Sequence, residues 1–201
     1  MSLIDEIHAE QGRCRILDIG GGGLYWKLFD EDYLRARCVH VTISNIEYDP
    51  NMVVELDPDL FSINIGDGCK LSYPDQSFDL VHSNSVIEHV GRWPDMVAFA
   101  AECRRLAPRY YVQMPYFWFP FEPHFGMPFF HWLPEPVRVY LVAHFTLGRY
   151  PRADSLSRAV EWVQSANLLG RGQFKYLFPD AIIQPERFVG MTKSLIAIRP
   201  A

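Results

Sequence analysis

Lysine is scarce in this sequence, 4 residues against 15 arginines, and the net charge at pH 7 is −5. A chain of net negative charge lacks the general electrostatic grip that carries affinity for nucleic acid or for an anionic membrane. Cysteines are few and scattered, at 14, 38, 69 and 103, with no CxxC pair and no neighbouring His or Cys to complete a zinc pattern. They predict reduced, mostly structural thiols in a cytoplasmic protein rather than a disulfide frame. No stretch reaches the roughly 18 apolar residues of a spanning helix, since Val137–Phe145 is too short, and MSLIDEIHAEQGR carries no apolar signal-peptide core. Also missing are a GxxxxGK[ST] phosphate loop and the NPPY- or DPPY-like tetrapeptide that serves a flipped base.

What is present in excess is aromatic. The 201 residues hold 29 rings, 49% of the chain is hydrophobic, and 21% is charged, so a packed core is within reach and disorder is excluded. The rings are concentrated: Tyr110–Trp132 holds 11 of the 29 in 23 residues, where an even spread gives about 3.

Along the first 114 residues, short apolar runs alternate with longer mixed segments, the pattern of βα units on a parallel sheet. Strands are expected at Arg15–Ile19, Cys38–Ile43, Phe61–Ile65, Phe78–Ser83 and Arg109–Met114, and helices at Tyr25–Arg37, Met52–Leu60 and Trp93–Leu106. The last helix is the clearest, with Met96, Phe99, Ala100, Cys103 and Leu106 on one face and Pro94 in its first turn. Prolines at 115, 120, 123, 128 and 134 then exclude a regular helix or central strand. Val137–Phe145 and Leu156–Asn167 read as helices, and Ala181–Phe188 and Ser194–Arg199 as terminal strands. The expected architecture is one α/β domain over 1–201, a Rossmann-like, mostly parallel sheet whose last strand is antiparallel. A proline- and aromatic-rich insertion at 115–178, after strand five, is expected to act as an acceptor-side wall or lid.

DIGGGG, Asp18–Gly23, lies between a strand and a helix, where glycines allow a sharp turn and close approach of backbone N–H groups to a ligand. Three readings stand beside one another: a dinucleotide site, a turn without a ligand, and a site for S-adenosylmethionine. The dinucleotide fingerprint GxGxxG places its third glycine where this chain has Tyr25, a ring too bulky for close helix–strand packing.

RILDIGGGG resembles the first motif of class I S-adenosylmethionine-dependent methyltransferases. GDGCKLSYPDQSFDLVHSNSVIEHV, Gly66–Val90, is similar to the motifs that follow in their small-molecule, type 11-like branch, and GMTKSLIAIRP resembles that group's last strand. The resemblance implies S-adenosyl-L-methionine as cofactor. Gly20 and Gly22 would line its methionine and ribose portion, and Asp18 would organise the turn or meet the amino group. Asp67 would accept from the adenine amine beside the Gly68 backbone, and Asn84 and Ser85 would lie near the sulfonium. The chain departs from the pattern at the end of strand two, where relatives carry an acid and VTISNIE offers Asn45 as a neutral ribose partner, with Glu47 beyond it.

Methyl transfer needs an acceptor held in line and, if protonated, a nearby base. Glu122, His124 and His131, a carboxylate and two imidazoles in the aromatic insertion, are the candidate catalytic residues. Two imidazoles in a proline-rich loop are too few to assign a metal. Glu88 and His89 read chiefly as residues that shape the site, and Lys193 as a structural feature of the final strands. The expected acceptor is a small molecule or a saccharide-type compound, and the dense rings have three competing uses: a core layer over the sheet, a homodimer contact, or peripheral contact with a membrane surface. The rival readings are a non-catalytic binding module with the same fold and an NAD(P)-dependent oxidoreductase.

Overall fold

The computed structural model describes residues 3–47 and 56–200. In chain order its elements are α1 (Leu3–Gln11), β1 (Cys14–Ile19), α2 (Gly23–Trp26), α3 (Glu31–Ala36), β2 (Val39–Asn45), β3 (Phe61–Ile65), β4 (Leu80–Asn84), α4 (Trp93–Leu106) and β5 (Arg109–Pro115). Then follow β6 (Phe121–Glu122), β7 (Met127–Pro128), α5 (Glu135–His144), α6 (Leu156–Gln164), α7 (Arg171–Leu177), β8 (Ile182–Phe188) and β9 (Met191–Arg199).

Seven of the strands form one sheet in the order β3-β2-β1-β4-β5-β9-β8. Strands β1 to β5 pair in parallel, and β9 runs antiparallel to both β5 and β8. This is the expected Rossmann-like sheet with an antiparallel last strand. Strand β1 is buried at every residue except Arg15, as a strand covered on both faces must be. Its side chains alternate between two cores. Leu17 and Ile19 join α4 and α7 on one face through Phe99, Ala100, Cys103, Phe174 and Leu177. Cys14 and Ile16 join α1, α2 and α3 on the other through Ile7, Trp26 and Leu34.

Three expectations need correction. The helix expected over Tyr25–Arg37 is two short helices, because the Asp30 carboxylate accepts from the Asp32 backbone N–H at 3.0 Å and caps a new helix in mid-segment. Helices α1 and α7 were not expected; α1 buries only Ile4 and Ile7, and α7 only Phe174 and Leu177, too few for a visible period. Of the helix expected at Met52–Leu60, residues 52–55 lie outside the described residues, while 56–60 form a turn rather than a helix.

Between β5 and β8 the chain leaves the sheet. The proline-rich part holds only the two-residue strands β6 and β7 and a single 3-10 turn at Phe130–Trp132. With α5 and α6 it packs around its own apolar cluster of Phe125, Phe130, Val142, Ala153, Ala159 and Val163.

Candidate active site

The order 3-2-1-4-5 reverses direction between β1 and β4, and ligands of such sheets bind in the crevice outside the strand ends at that point. A cavity of about 310 Å³ lies there, lined by Ile19, Gly20, Ser44, Asn45, Ile46, Gly66, Asp67, Gly68, Ser85, Val86, His89, Val90 and Phe99. The chain reaches it by close turns. Gly20 has φ +73° and donates to the Ser44 carbonyl at 2.8 Å, and a Cβ there would stand 2.5 Å from both Val86 methyls. A Cβ on Gly68 would meet Ile19 at 2.8 Å and the Phe99 ring at 3.2 Å.

Of the residues the resemblance assigned to the cofactor, Gly20, Asn45, Asp67, Gly68 and Ser85 line this cavity. Asn45 donates one Nδ2 hydrogen to the Gly21 carbonyl at 2.9 Å, which leaves its amide oxygen and second N–H as polar handles. Asp67 is exposed, and its Oδ1 accepts from the Cys69 N–H at 2.9 Å. Gly22 lies beside the cavity as the cap of α2, and Asn84 is exposed at the end of β4. Strand β2 ends at Asn45, so Glu47 stands beyond the strand end and is not part of the lining. A carboxylate, an amide and apolar walls around glycine backbone suit a ligand with an amine, hydroxyls and a flat ring, so the residues fit S-adenosylmethionine.

Asp18 is not on the lining. It is fully buried, accepting from Trp26 Nε1 at 2.7 Å and from His82 Nδ1 at 2.7 Å. The β1–β4 register sets Asp18 directly beside His82, and the imidazole is stacked between Tyr25, at 4.7 Å, and Tyr111, at 5.5 Å. Of the two roles implied for Asp18, organising the turn is therefore the one its geometry supports.

On the insertion side a larger cavity of about 710 Å³ is walled by the rings of Phe117, Phe125, Phe130 and Trp162, with Glu122, His124, His131 and Arg138 among its polar groups. All three candidate catalytic residues line it. Glu122 is buried and accepts from His124 Nδ1 at 2.6 Å, from the Phe125 N–H at 2.5 Å and from the His124 N–H at 3.2 Å. Burial alone would raise the Glu122 carboxyl, but these bonds hold it below its ordinary range. Burial likewise pulls His124 down, and the bond to Glu122 outweighs it, leaving the imidazole above its ordinary value. His131 donates from Nε2 to the Phe117 carbonyl at 2.7 Å, so its buried Nδ1 is an acceptor without a partner. A third cavity, about 320 Å³, shares Ser85 with the first and includes Gln113, Tyr116, Arg149 and Lys193.

The turn after β4 joins these spaces. Glu88 is fully buried, with neither carboxylate oxygen hydrogen-bonded, and burial pushes it up to about 7. His89 lines the first cavity and donates from Nδ1 to the Ser165 carbonyl at 2.7 Å, and its ring meets His124 edge-on at 4.7 Å between centroids. Neighbouring Asn167 donates its backbone N–H to the Glu88 carbonyl at 2.7 Å and its amide to the Gly91 carbonyl at 3.0 Å. The sequence showed Glu88 and His89 as an acid beside a base. It did not show their nearness to His124, which lies 35 positions further on.

The comparisons with known proteins come to the same place. A family model described as a methyltransferase domain matches residues 17–109, just under half of the chain. None of the curated proteins matches it in sequence. Solved structures share its fold: an S-adenosylmethionine-dependent methyltransferase from Mesorhizobium loti (15% identity, TM-score 0.55, covering 97% of this chain and 94% of the other), and one from Methanosarcina mazei (15%, 0.52, 94% and 92%). A protein from Pyrococcus horikoshii is similar to the same extent (17%, 0.54, 99% and 88%). Among the described residues no helix is long and apolar enough to cross a membrane. With the strand order, the glycine turn and the ordered motifs all in place, residues 17–109 match a methyltransferase domain and the chain has the fold of S-adenosylmethionine-dependent methyltransferases, which implies S-adenosylmethionine as cofactor.

Proposed function

We propose that this protein is an active methyltransferase that methylates a polar small molecule or saccharide-type acceptor in the cytoplasm. Residues 115–178 form the acceptor-side cover of a single domain. The observation that carries this reading is the pairing of a glycine-lined cavity at the switch point with a large ring-walled cavity on the insertion side. When bound, S-adenosylmethionine supplies an electrophilic methyl group on a cationic sulfur. The chain's own residues do the rest. Asp67 and Asn45 hold polar groups of the cofactor, and the Gly20 and Gly68 backbones allow its close approach. Phe117, Phe125, Phe130 and Trp162 shed water from the acceptor and present flat faces of the kind that sugar rings and other amphipathic molecules pack upon. His131 Nδ1 accepts a hydroxyl or amine proton, and Glu122 orients His124 through Nδ1.

A second placement of the acceptor has one observation in its favour. The smaller insertion-side cavity touches the cofactor cavity directly through Ser85, and Lys193 and Arg149 give it cationic walls suited to an anionic group. Turnover of a candidate acceptor by His131→Gln and by Arg149→Ala separates the two: the larger loss marks the cavity in use. The test of the activity itself is calorimetry with S-adenosylmethionine, its demethylated product and NADH, followed by transfer of labelled methyl to saccharide and small-molecule pools. Binding of NADH alone would support the oxidoreductase reading, and cofactor binding without any transfer the non-catalytic module.

A further inference from the structure

Glu88, His89 and His124 each offer a donor atom within 4.8 Å of the other two. Three features make this more than a chance cluster. The Glu88 side chain is fully buried and both its oxygens lack a partner, a costly arrangement for a carboxylate unless something unseen satisfies it. Each imidazole already spends Nδ1, His89 on the Ser165 carbonyl and His124 on the Glu122 carboxylate, which leaves Nε2 of both as the ring nitrogen with a lone pair. An Nδ1–H bonded to a carbonyl or a carboxylate is the usual support behind a metal-bound histidine.

We infer that Glu88, His89 and His124 form a binding site for one divalent cation of the zinc class, set between the cofactor cavity and the larger insertion-side cavity. Two imidazoles and a carboxylate favour such a cation over magnesium or calcium, which prefer all-oxygen shells. Donor atoms around a tetrahedral zinc with bonds of about 2.1 Å are about 3.4 Å apart. From 4.8 Å the three side chains therefore close by roughly an ångström or so to bind it. Three protein donors leave the fourth position for water or for an oxygen of the acceptor. The site also gives Glu122 a definite part: it is a positioning residue, fixing the tautomer and orientation of His124. With the cation in place His124 is a ligand, and the accepting nitrogen for a proton is His131 Nδ1.

The site stands on these side chains and does not depend on the acceptor or on methyl transfer, so metal binding is measured on its own. Protein stripped with a chelator is titrated with Co²⁺ alone, followed by visible absorption, and then with Zn²⁺ by calorimetry. The expected result is one cation per chain, with the intense absorption of a low-coordinate Co²⁺ site that Zn²⁺ abolishes. Glu88→Gln and His124→Ala should each weaken Zn²⁺ binding at least about 10-fold, and Glu122→Gln about 10- to 100-fold. Circular dichroism and S-adenosylmethionine affinity report that each variant remains folded, and the second also separates failure of this site from failure of the methyltransferase reading. Absence of saturable binding at one equivalent overturns the inference, as does unchanged affinity in both ligand variants.

Discussion

His89 Nδ1 lies 2.7 Å from the carbonyl oxygen of Ser165, and this bond fastens the turn after β4 to the far end of the insertion. The two bonds from Asn167, to Glu88 and Gly91, lie beside it. The turn that walls the switch-point cavity is thereby bonded to residues 165–167 of the insertion. Asn167→Ala removes the side-chain bond to Gly91. It should cost about 0.5–1.5 kcal/mol of stability and raise amide hydrogen exchange over residues 86–91 more than elsewhere. Exchange that rises uniformly would show that the clamp is not local.

Asp18 and Asp67 are both acids near the glycine turn, and they should behave oppositely. Removing the Asp18 carboxylate strands the buried Trp26 Nε1 and His82 Nδ1. Asp18→Ala should therefore lower unfolding free energy by about 2–4 kcal/mol, read by chemical denaturation. A stable Asp18→Ala variant that merely loses cofactor affinity would return Asp18 to the cofactor's amino group.

Gly20 carries a left-handed backbone and has no room for a side chain against Val86. Gly20→Ala should destabilise by about 1–3 kcal/mol and weaken S-adenosylmethionine binding at the same time. Gly22, with open space around its Cα, should tolerate the same change with little loss of stability. Thermal unfolding of the two variants with and without cofactor measures both effects.

The loop that follows Asp67 is pinned by charge. Arg105 donates to the Glu102 carboxylate at 2.7 and 2.8 Å, to Asp75 at 2.9 Å, and to the carbonyls of Tyr73 and Leu71 at 2.6 and 3.0 Å. The bond from Arg105 is the chief reason the Glu102 carboxyl lies below its ordinary range, with the Leu71 N–H adding to it. A carboxyl lowered in the folded state stabilises above its unfolded pKa, about 4.3, and loses that contribution as pH falls through the folded value. Glu102→Gln should thus be less stable than the parent by on the order of 1–2 kcal/mol at pH 7. The gap should shrink as the pH drops from about 5 toward 3. A gap independent of pH would assign the effect to packing.

The sheet was legible because its strands are short apolar runs separated by helical segments, and each of the five expected parallel strands falls within a few residues of its place. Trp93–Leu106 was legible to the residue, since Pro94 marks its start and five apolar positions share one face. The split at Asp30 was hidden because a carboxylate that caps a helix looks, in sequence, like one more polar residue on its surface. At the switch-point cavity the lining glycines Gly20 and Gly68 and Asp67 were legible as a group because they sit in short motifs that directly follow strands. The Glu88–His89–His124 cluster was not, for it depends on how a proline-rich segment folds back over the β4 turn, a long-range contact with no local periodicity. The aromatic excess divides by place: Phe117, Phe125 and Phe130 wall a cavity together with Trp162; Trp118, Phe129 and Trp132 stay exposed, from 39% to 61%; and Tyr110 is fully buried in the sheet core.

The most direct test of the account is calorimetric titration of S-adenosylmethionine into the parent protein and into Asp67→Ala. The parent should bind one equivalent, and Asp67→Ala should bind more weakly by about 1–3 kcal/mol, roughly 5- to 150-fold, with its unfolding free energy nearly unchanged. Absence of binding to the parent, or equal affinity in the two proteins, would contradict the placement of the cofactor between Gly20, Asn45 and Asp67.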